Sequence, residues 1–305
     1  MIKGSLVPNI SFFDQKGKLD LEKTKWHMRW MFEKGVDGLF LTGSYGSGPM
    51  ISIDERAEIF KAAKEVAAEF EGKTLIAHVG CIDTESTVKL AQAAEKIGVD
   101  AIGAVPPFYY KNTEDWVIGF YKDLIESVKT PVFAYNNPET SRFTFTLKTV
   151  QKLQTLGLKG MKDSPLDVSF VSKVFYDAKL NRKDFQVILG TSNGWLPYYY
   201  MGIQASIAGI NNWAPEVMTE LVKATFEGDV ARSERAYVVM MDLSAKMHFS
   251  DSTVVSHMGL YARGFDAGFA LKPKELPALG DPKYDEIKKW LQSGFGELGL
   301  RLEFA

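Results

Sequence analysis

A single cysteine, Cys81, in a chain of 305 residues excludes an internal disulfide and every cysteine-cluster metal site. That usage fits a reducing compartment, and the cytoplasm is the expected location. Histidine is scarce as well: His27, His78, His248 and His257 are scattered without a His-Glu-x-x-His pairing, so no metal centre is expected. Long apolar runs are missing, since no stretch approaches the ~18 consecutive residues of a membrane span. The opening segment MIKGSLVPNISFFDQKGKLD has no apolar core behind its first lysine, so no export signal is expected. Nor is there an excess of one charge. Against 38 acidic side chains stand 36 basic ones, a formal net charge of −2, which lacks the footprint of a nucleic-acid or anionic-membrane binder. A small uncharged or anionic ligand is the better expectation. No Pro/Gly/Ser linker, low-complexity tract or charge block divides the chain, and its 46% apolar content suffices for one large core.

What is present is a rhythm. Short apolar, β-branched segments recur at 5–13, 36–43, 73–81, 100–108, 131–138, 158–164, 185–192 and 205–211, eight candidate strands. Between them lie stretches such as 54–70, 84–98 and 113–128, whose apolar residues return at three- and four-residue steps, the period of a helix. Ser52, Asp83 and Asn112 read as N-caps, and Gly72 and Gly98 as helix ends. Strand and helix alternating every roughly 28 residues require parallel strands with right-handed crossovers, and eight units predict a closed (β/α)8 TIM barrel, an α/β fold. An open doubly wound sheet is the alternative. After Asn211 the strand signals stop, and helical stretches at 229–248, 251–263 and 283–293 predict a C-terminal helical layer. The expected division is a catalytic barrel over 1–228 and an extension over 229–305 packed on it or on a neighbouring subunit.

In such a barrel the C-terminal strand ends and the loops after them form the active face. They supply Gly43-Ser44-Tyr45-Gly46-Ser47-Gly48-Pro49, Phe108-Tyr109-Tyr110, Tyr135-Asn136-Asn137-Pro138, Lys162-Asp163-Ser164 and Gly190-Thr191-Ser192-Asn193-Gly194. Alternation puts Leu158, Gly160 and Lys162 on one strand face, with the glycine leaving room for a long side chain inside the barrel. Most strand-end lysines snorkel to water. A buried one differs: an amine of pKa near 10.4 is only about 0.1% neutral at pH 7.4, and a depression of roughly three units makes about a third of it nucleophilic. Condensed with a 2-oxo acid, it gives an iminium that withdraws electrons from the adjacent carbon. Tyr135, on the next strand, is placed to carry the proton. The loop 43–49 offers free N–H groups and the Ser44 and Tyr45 hydroxyls to a carboxylate, or is a turn that needs glycine for positive φ. It is neither a P-loop nor a dinucleotide fingerprint. His78 reads as a satisfied core histidine, Cys81 as a small buried hydrophobe, and the basic residues of 148–183 as a solvated helix face.

Taken together, Gly43-Ser44-Tyr45-Gly46, Tyr135-Asn136-x-Pro138 and Gly160-x-Lys162-Asp163 give the chain, from Gly4 to about Pro277, a resemblance to the dihydrodipicolinate synthase and N-acetylneuraminate lyase family of pyruvate-dependent lysine aldolases. The resemblance implies that Lys162 forms a Schiff base with pyruvate, with Tyr135 as proton relay. It also implies that Ser44 links Tyr135 to a Tyr109 contributed by the neighbouring subunit of a tight dimer, itself half of a homotetramer. Ser44, Tyr45 and Gly46 would hold the pyruvate carboxylate, and the Ile207 carbonyl would face it. Ser164, Gly190, Thr191, Ser192 and Asn193 would meet the substrate. Neither a metal nor an organic cofactor is implied.

The departures bear on substrate. Tyr45 and Ser47 replace the usual second hydroxyl residue and glutamate of the loop, and Gly48-Pro49 is similar to aldolases of 2-keto-3-deoxy sugar acids. Thr140, with Arg142 two positions on, stands where the synthase branch has its arginine. Leu75–Cys81 and Pro107–Tyr110 are similar to the sialate lyase branch, yet Ser192-Asn193 replace its acidic pair and Gly209 a serine. The resulting expectation is a lyase joining or cleaving pyruvate and an aldehyde, acting on a 2-oxo-3-deoxy sugar acid or an N-acetylneuraminate-like substrate. Dihydrodipicolinate synthase, or a Schiff-base dehydratase or hydratase-aldolase, is the alternative within the class. A phosphosugar isomerase holding phosphate at loop 190–194 and a non-catalytic 2-oxo acid sensor are those outside it.

Overall fold

A computed structural model describes residues 1–304. Eight parallel strands close into a barrel in sequence order: β1 (Gly4–Val7), β2 (Gly38–Leu41), β3 (Thr74–His78), β4 (Ala101–Ala104), β5 (Val132–Asn136), β6 (Gly160–Asp163), β7 (Gln186–Leu189) and β8 (Ala205–Ile207). Closure is made by β8 pairing with β1, Gly4 opposite Ala205 and Leu6 opposite Ile207. The open doubly wound sheet is thereby excluded.

Every strand is shorter than the apolar segment that announced it, and proline is one reason. Pro8 stops β1, Pro106 and Pro107 follow β4, and Pro138 begins a helical turn directly after β5, because a residue without an N–H cannot continue a ladder. The remainder of each segment becomes a loop on the C-terminal face.

Around the barrel run α1 (Leu21–Glu33), α2 (Ile53–Ala67), α3 (Thr84–Ile97), α4 (Glu114–Ser127), the single turn α5 (Pro138–Ser141), α6 (Leu147–Thr155), α7 (Val168–Asn181), α8 (Trp195–Met201) and α9 (Pro215–Glu227). Ser52 caps α2 in a reciprocal box with Glu55, and Asp83 caps α3 through the Ser86 N–H. Gly98 ends α3 in the left-handed region at φ 83°. Two expected punctuation marks move. Thr113, not Asn112, caps α4, while the Asn112 amide donates to the Pro107 carbonyl and braces the preceding loop. Gly72 lies beyond the end of α2, in the turn toward β3.

Two apolar regions result. The barrel interior holds Leu6, Phe40, Ile76, Phe133, Ile188 and Ile207, and a larger layer lies between strands and helices. After α9 come α10 (Val230–Lys246), α11 (Ser252–Ala262) and α12 (Pro282–Leu298). α10 packs on α9 and α12, and α11 packs on the turn after β8, which brings the start of α11 to the mouth of the barrel. Among the described residues no helix is long and apolar enough to cross a membrane.

Candidate active site

Lys162 pairs with Tyr135 across the β5–β6 ladder and is only 5% exposed. Its Nζ stands 3.8 Å from the centroid of the Tyr135 ring and 4.0 Å from that of Phe40, so the ammonium sits between two π faces inside the barrel. Burial lowers its pKa, opposed by attraction to the Tyr135 oxygen. Tyr135 is pushed upward by burial. The Lys162 charge and donors from Ser164 and Asn137 outweigh that push and bring it below 10. Asn137 Nδ2 donates to the Tyr135 hydroxyl at 3.2 Å, and the Ser164 hydroxyl reaches it at 3.4 Å.

Gly160 does not serve the lysine as expected. A Cβ there would fall 2.2 Å from the Phe133 ring and 2.5 Å from the Gln186 carbonyl, so β5 and β7 already occupy the space. Leu158 precedes β6 and packs in the outer layer, where strand alternation no longer applies. Asp163 points outward, buried, and takes a 2.6 Å hydrogen bond from Asn136; burial raises its pKa to about 6.

The loop after β2 also differs from expectation. Gly43, Gly46 and Gly48 have ordinary φ, whereas Thr42 (φ 51°) and Ser47 (φ 55°) carry the left-handed conformations. The glycines are required for closeness: a Cβ on Gly48 would overlap the Thr42 carbonyl. Thr42 is a strained β-branched residue held from several sides. Its hydroxyl donates to the His78 carbonyl at 3.0 Å, and its own carbonyl accepts from His78 Nδ1 at 3.2 Å. The His78 Nε2 accepts the Val105 N–H, which fixes the proton on Nδ1.

The side chain that organises this corner was missed. Arg56, 2% exposed, donates from α2 to Thr42 Oγ1 (3.3 Å), the His78 carbonyl (2.6 Å) and the Gly80 carbonyl (3.1 Å), with no carboxylate partner among the described residues. It also lies 3.3 Å from Cys81 Sγ, so that cysteine is not surrounded by apolar groups alone. Its only trace in the sequence is its place on the apolar stripe of α2, between Ile53 and Ile59.

Of the other candidates, Tyr45 sends its phenol across the mouth to β8. A Cβ on Gly209 would fall 2.1 Å from its hydroxyl, which makes the two departures noted in the sequence a single contact. Burial raises the pKa of Tyr45. Gly190 donates to the Asp163 carbonyl at 2.6 Å and packs so closely on Ser164 that no side chain fits. Thr191 accepts from the Ser206 hydroxyl, and Tyr237 donates to the Asn193 carbonyl. Thr191, Ser192, Asn193, Gly190, Gly209 and Tyr45 border a cavity of about 240 Å³ that runs toward α10 and α11. Ile207 lines the barrel interior. Two candidates stay apart: Ser44 is exposed, and Tyr109, 71% exposed at φ 88°, stacks edge-on against Tyr110 outside this chain's barrel.

Comparison with known proteins follows the same lines. The sequence profile of the Dihydrodipicolinate synthetase family matches residues 1–293. An uncharacterized DapA-like lyase of Halobacterium salinarum is 28% identical, covering 98% of this chain and 95% of its own. The N-acetylneuraminate lyase of Citrobacter koseri is 32% identical over 76% of this chain and 77% of its own. Among solved structures, E. coli K12 YagE, a prophage protein of the dihydrodipicolinic acid synthase family in complex with pyruvate, superposes with a TM-score of 0.87. Its identity is 25%, over 96% of this chain and 99% of that one. The match spans the whole barrel and most of the helices beyond it, and the chain belongs to the dihydrodipicolinate synthetase family.

Proposed function

We propose that this protein is a class I, Schiff-base-forming lyase that cleaves or forms a C–C bond between pyruvate and an aldehyde, acting on a 2-oxo-3-deoxy sugar acid or an N-acetylneuraminate-like substrate. One observation carries the reading: a desolvated lysine at the mouth of the barrel with a phenol beside it. The pyruvate bound by the similar E. coli protein supports it. With its pKa lowered by burial, Lys162 is neutral more often than a lysine in water and attacks C2 of the 2-oxo acid, the longer 4-hydroxy acid in cleavage or pyruvate in synthesis. In cleavage the C–N bond forms, the carbonyl oxygen leaves as water, and the iminium accepts the electron pair when the C3–C4 bond breaks. Tyr135 takes the proton of the C4 hydroxyl as the aldehyde departs and returns one to C3, its oxygen oriented by Asn137 and Ser164, and water then hydrolyses the remaining iminium to free pyruvate and the amine.

In this reading Ser44, Tyr45 and the Gly46 N–H hold the pyruvate carboxylate, the Ile207 carbonyl faces it, and Ser164 with Gly190–Asn193 meets the remainder. Tyr109 acts in a second copy of the chain, within a homotetramer built as a dimer of dimers; its exposure beside Tyr110 supports an interface there. The iminium is itself the electron sink, so the chemistry requires no metal or organic cofactor. The expected setting is the cytoplasm. A phosphosugar isomerase would leave the buried amine without a role.

Incubation with pyruvate followed by borohydride reduction and peptide mapping tests the reading. The expected adduct is on Lys162 and is abolished in Lys162→Ala. Normal turnover by that variant overturns the reading.

A further inference from the structure

The Tyr135 oxygen is held by two donors, Asn137 Nδ2 at 3.2 Å and the Ser164 hydroxyl at 3.4 Å, and each of them is the first residue beyond its strand. The residues just before them, Asn136 and Asp163, end β5 and β6 and pair directly across the ladder. Alternation turns these two away from the barrel axis while Tyr135 and Lys162 turn inward. On the outer side the Asn136 amide donates to Asp163 Oδ1 at 2.6 Å, and the Ser164 N–H donates to the Asn136 carbonyl at 3.2 Å. One side-chain bond outside the barrel therefore closes the β5–β6 ladder at the step from which both donors to the phenol depart.

A carboxylate is a costly side chain for that place. Both Asn136 and Asp163 are buried, and the second oxygen of Asp163 has no hydrogen-bond partner among the described residues. Burial raises its pKa to about 6, opposed by the Asn136 amide and the Leu166 N–H. Of the titratable groups that bear on it from the helices packed outside, Asp167 at the start of α7 repels it, and Tyr198 on α8 is a phenol that supplies no counter-charge. An apolar residue would fill the same outer layer without leaving an oxygen unmet. Packing alone gives this carboxylate no purpose, whereas aiming the Asn136 amide does.

Resting on the lyase reading above, we propose that Asp163 is a positioning residue for Tyr135: by gripping the Asn136 amide behind the barrel it fixes where Asn137 and Ser164 leave their strands, and so keeps both donors on the phenol oxygen. Asp163 faces away from the reacting centre and acts only through the orientation of the proton carrier. Without the grip, Tyr135 keeps the Lys162 charge, His78 and Tyr45 as neighbours but loses the two donors that favour its anion.

The test needs only pyruvate. Exchange of its C3 protons for deuterium, followed by NMR, reports the proton transfer between the Lys162 adduct and Tyr135. In Asp163→Ala the kcat of exchange is expected to fall at least ~10-fold while KM for pyruvate stays within ~3-fold. Asp163→Asn, which retains an acceptor for the Asn136 amide, should recover most of the rate. In Asp163→Ala the Tyr135 phenol should also titrate about one pH unit higher, read as the ultraviolet difference spectrum against the same variant carrying Tyr135→Phe. Asn136→Ala removes the bond from the other side and serves if Asp163→Ala does not fold. A phenol that titrates as in wild type in the variants that fold, a loss carried by KM alone, or an Asp163→Asn protein as slow as Asp163→Ala overturns the proposal. The titration requires no turnover, so a shifted phenol in a protein that forms no pyruvate adduct on Lys162 overturns the lyase reading and leaves the grip on Tyr135 standing.

Discussion

Gly160→Ala adds one methyl group to the interior of the barrel, and the structure assigns it a large cost. The new Cβ would stand 2.2 and 2.4 Å from two carbons of the Phe133 ring and 2.5 Å from the Gln186 carbonyl oxygen, where ordinary contact begins at 3.4 Å. The ring shares the barrel interior with Tyr135, and the carbonyl belongs to the β6–β7 ladder, which pairs Gly160 with Gln186. Overpacking of this kind costs about 1–3 kcal/mol when a side chain can yield. Backbone on one side places this site at the upper end, about 3 kcal/mol. Chemical denaturation, read as a fall in midpoint at constant m-value, measures it. Borohydride trapping of pyruvate should slow in parallel, because Lys162 is two residues along the same strand. The companion variant Phe133→Leu/Gly160→Ala should regain only part of the loss, since the Gln186 oxygen remains. If Gly160→Ala is as stable as wild type but traps pyruvate poorly, the glycine exists to make room for the lysine, and the packing argument fails.

Arg56→Met should destabilise by about 2–4 kcal/mol, because the buried His78 and Gly80 carbonyls lose their donor and the strained Thr42 loses a restraint. Equilibrium unfolding checks this, and a change within experimental error would mean that water substitutes for the guanidinium. Acid should weaken the fold through the buried histidines. Burial lowers His27 to about 3 and His257 to about 4, and His78 well below 6.5. The unfolded chain therefore binds protons that the folded one refuses, and stability present above pH 6.5 is lost as pH falls toward those values. Each such histidine adds about 1.4 kcal/mol per pH unit to the slope, which the raised carboxylates Asp163 and Asp37 partly offset. His27→Gln should flatten the slope between pH 6 and 4 by that single-proton amount; identical slopes in the two proteins would contradict the assignment.

The barrel was legible because its two patterns are physical. Short, continuously apolar segments alternating with 3.6-period ones leave parallel strands and crossover helices as the arrangement, and the prolines that shorten the strands are visible beforehand at 8, 106, 107 and 138. Lys162 and Tyr135 were legible for the same reason: consecutive parallel strands with residues at their C-terminal ends must meet near one level of the barrel. What stayed hidden are contacts whose two halves come from distant elements. Arg56 reads as one more charge on a helix until β2 and β3 present their last carbonyls to it. Gly160 looks like space until Phe133 and Gln186 fill it.

Tyr45 and Gly209 show the limit most clearly. Read along the chain they are two unrelated substitutions in a family pattern, one adding bulk and one removing a hydroxyl. In the closed barrel the loop after β2 faces the end of β8, so the added phenol lies in the volume that the missing side chain vacates. The phenol at 45 requires the glycine at 209. A serine restored at 209 would collide with the ring, and a small residue at 45 would leave Gly209 facing open space. A double-mutant cycle of Tyr45→Thr and Gly209→Ser should accordingly return a favourable coupling of about 1–3 kcal/mol in stability, with the double variant more stable than Gly209→Ser alone. Additive losses would show that the phenol has room to move and that the contact with residue 209 does not fix it.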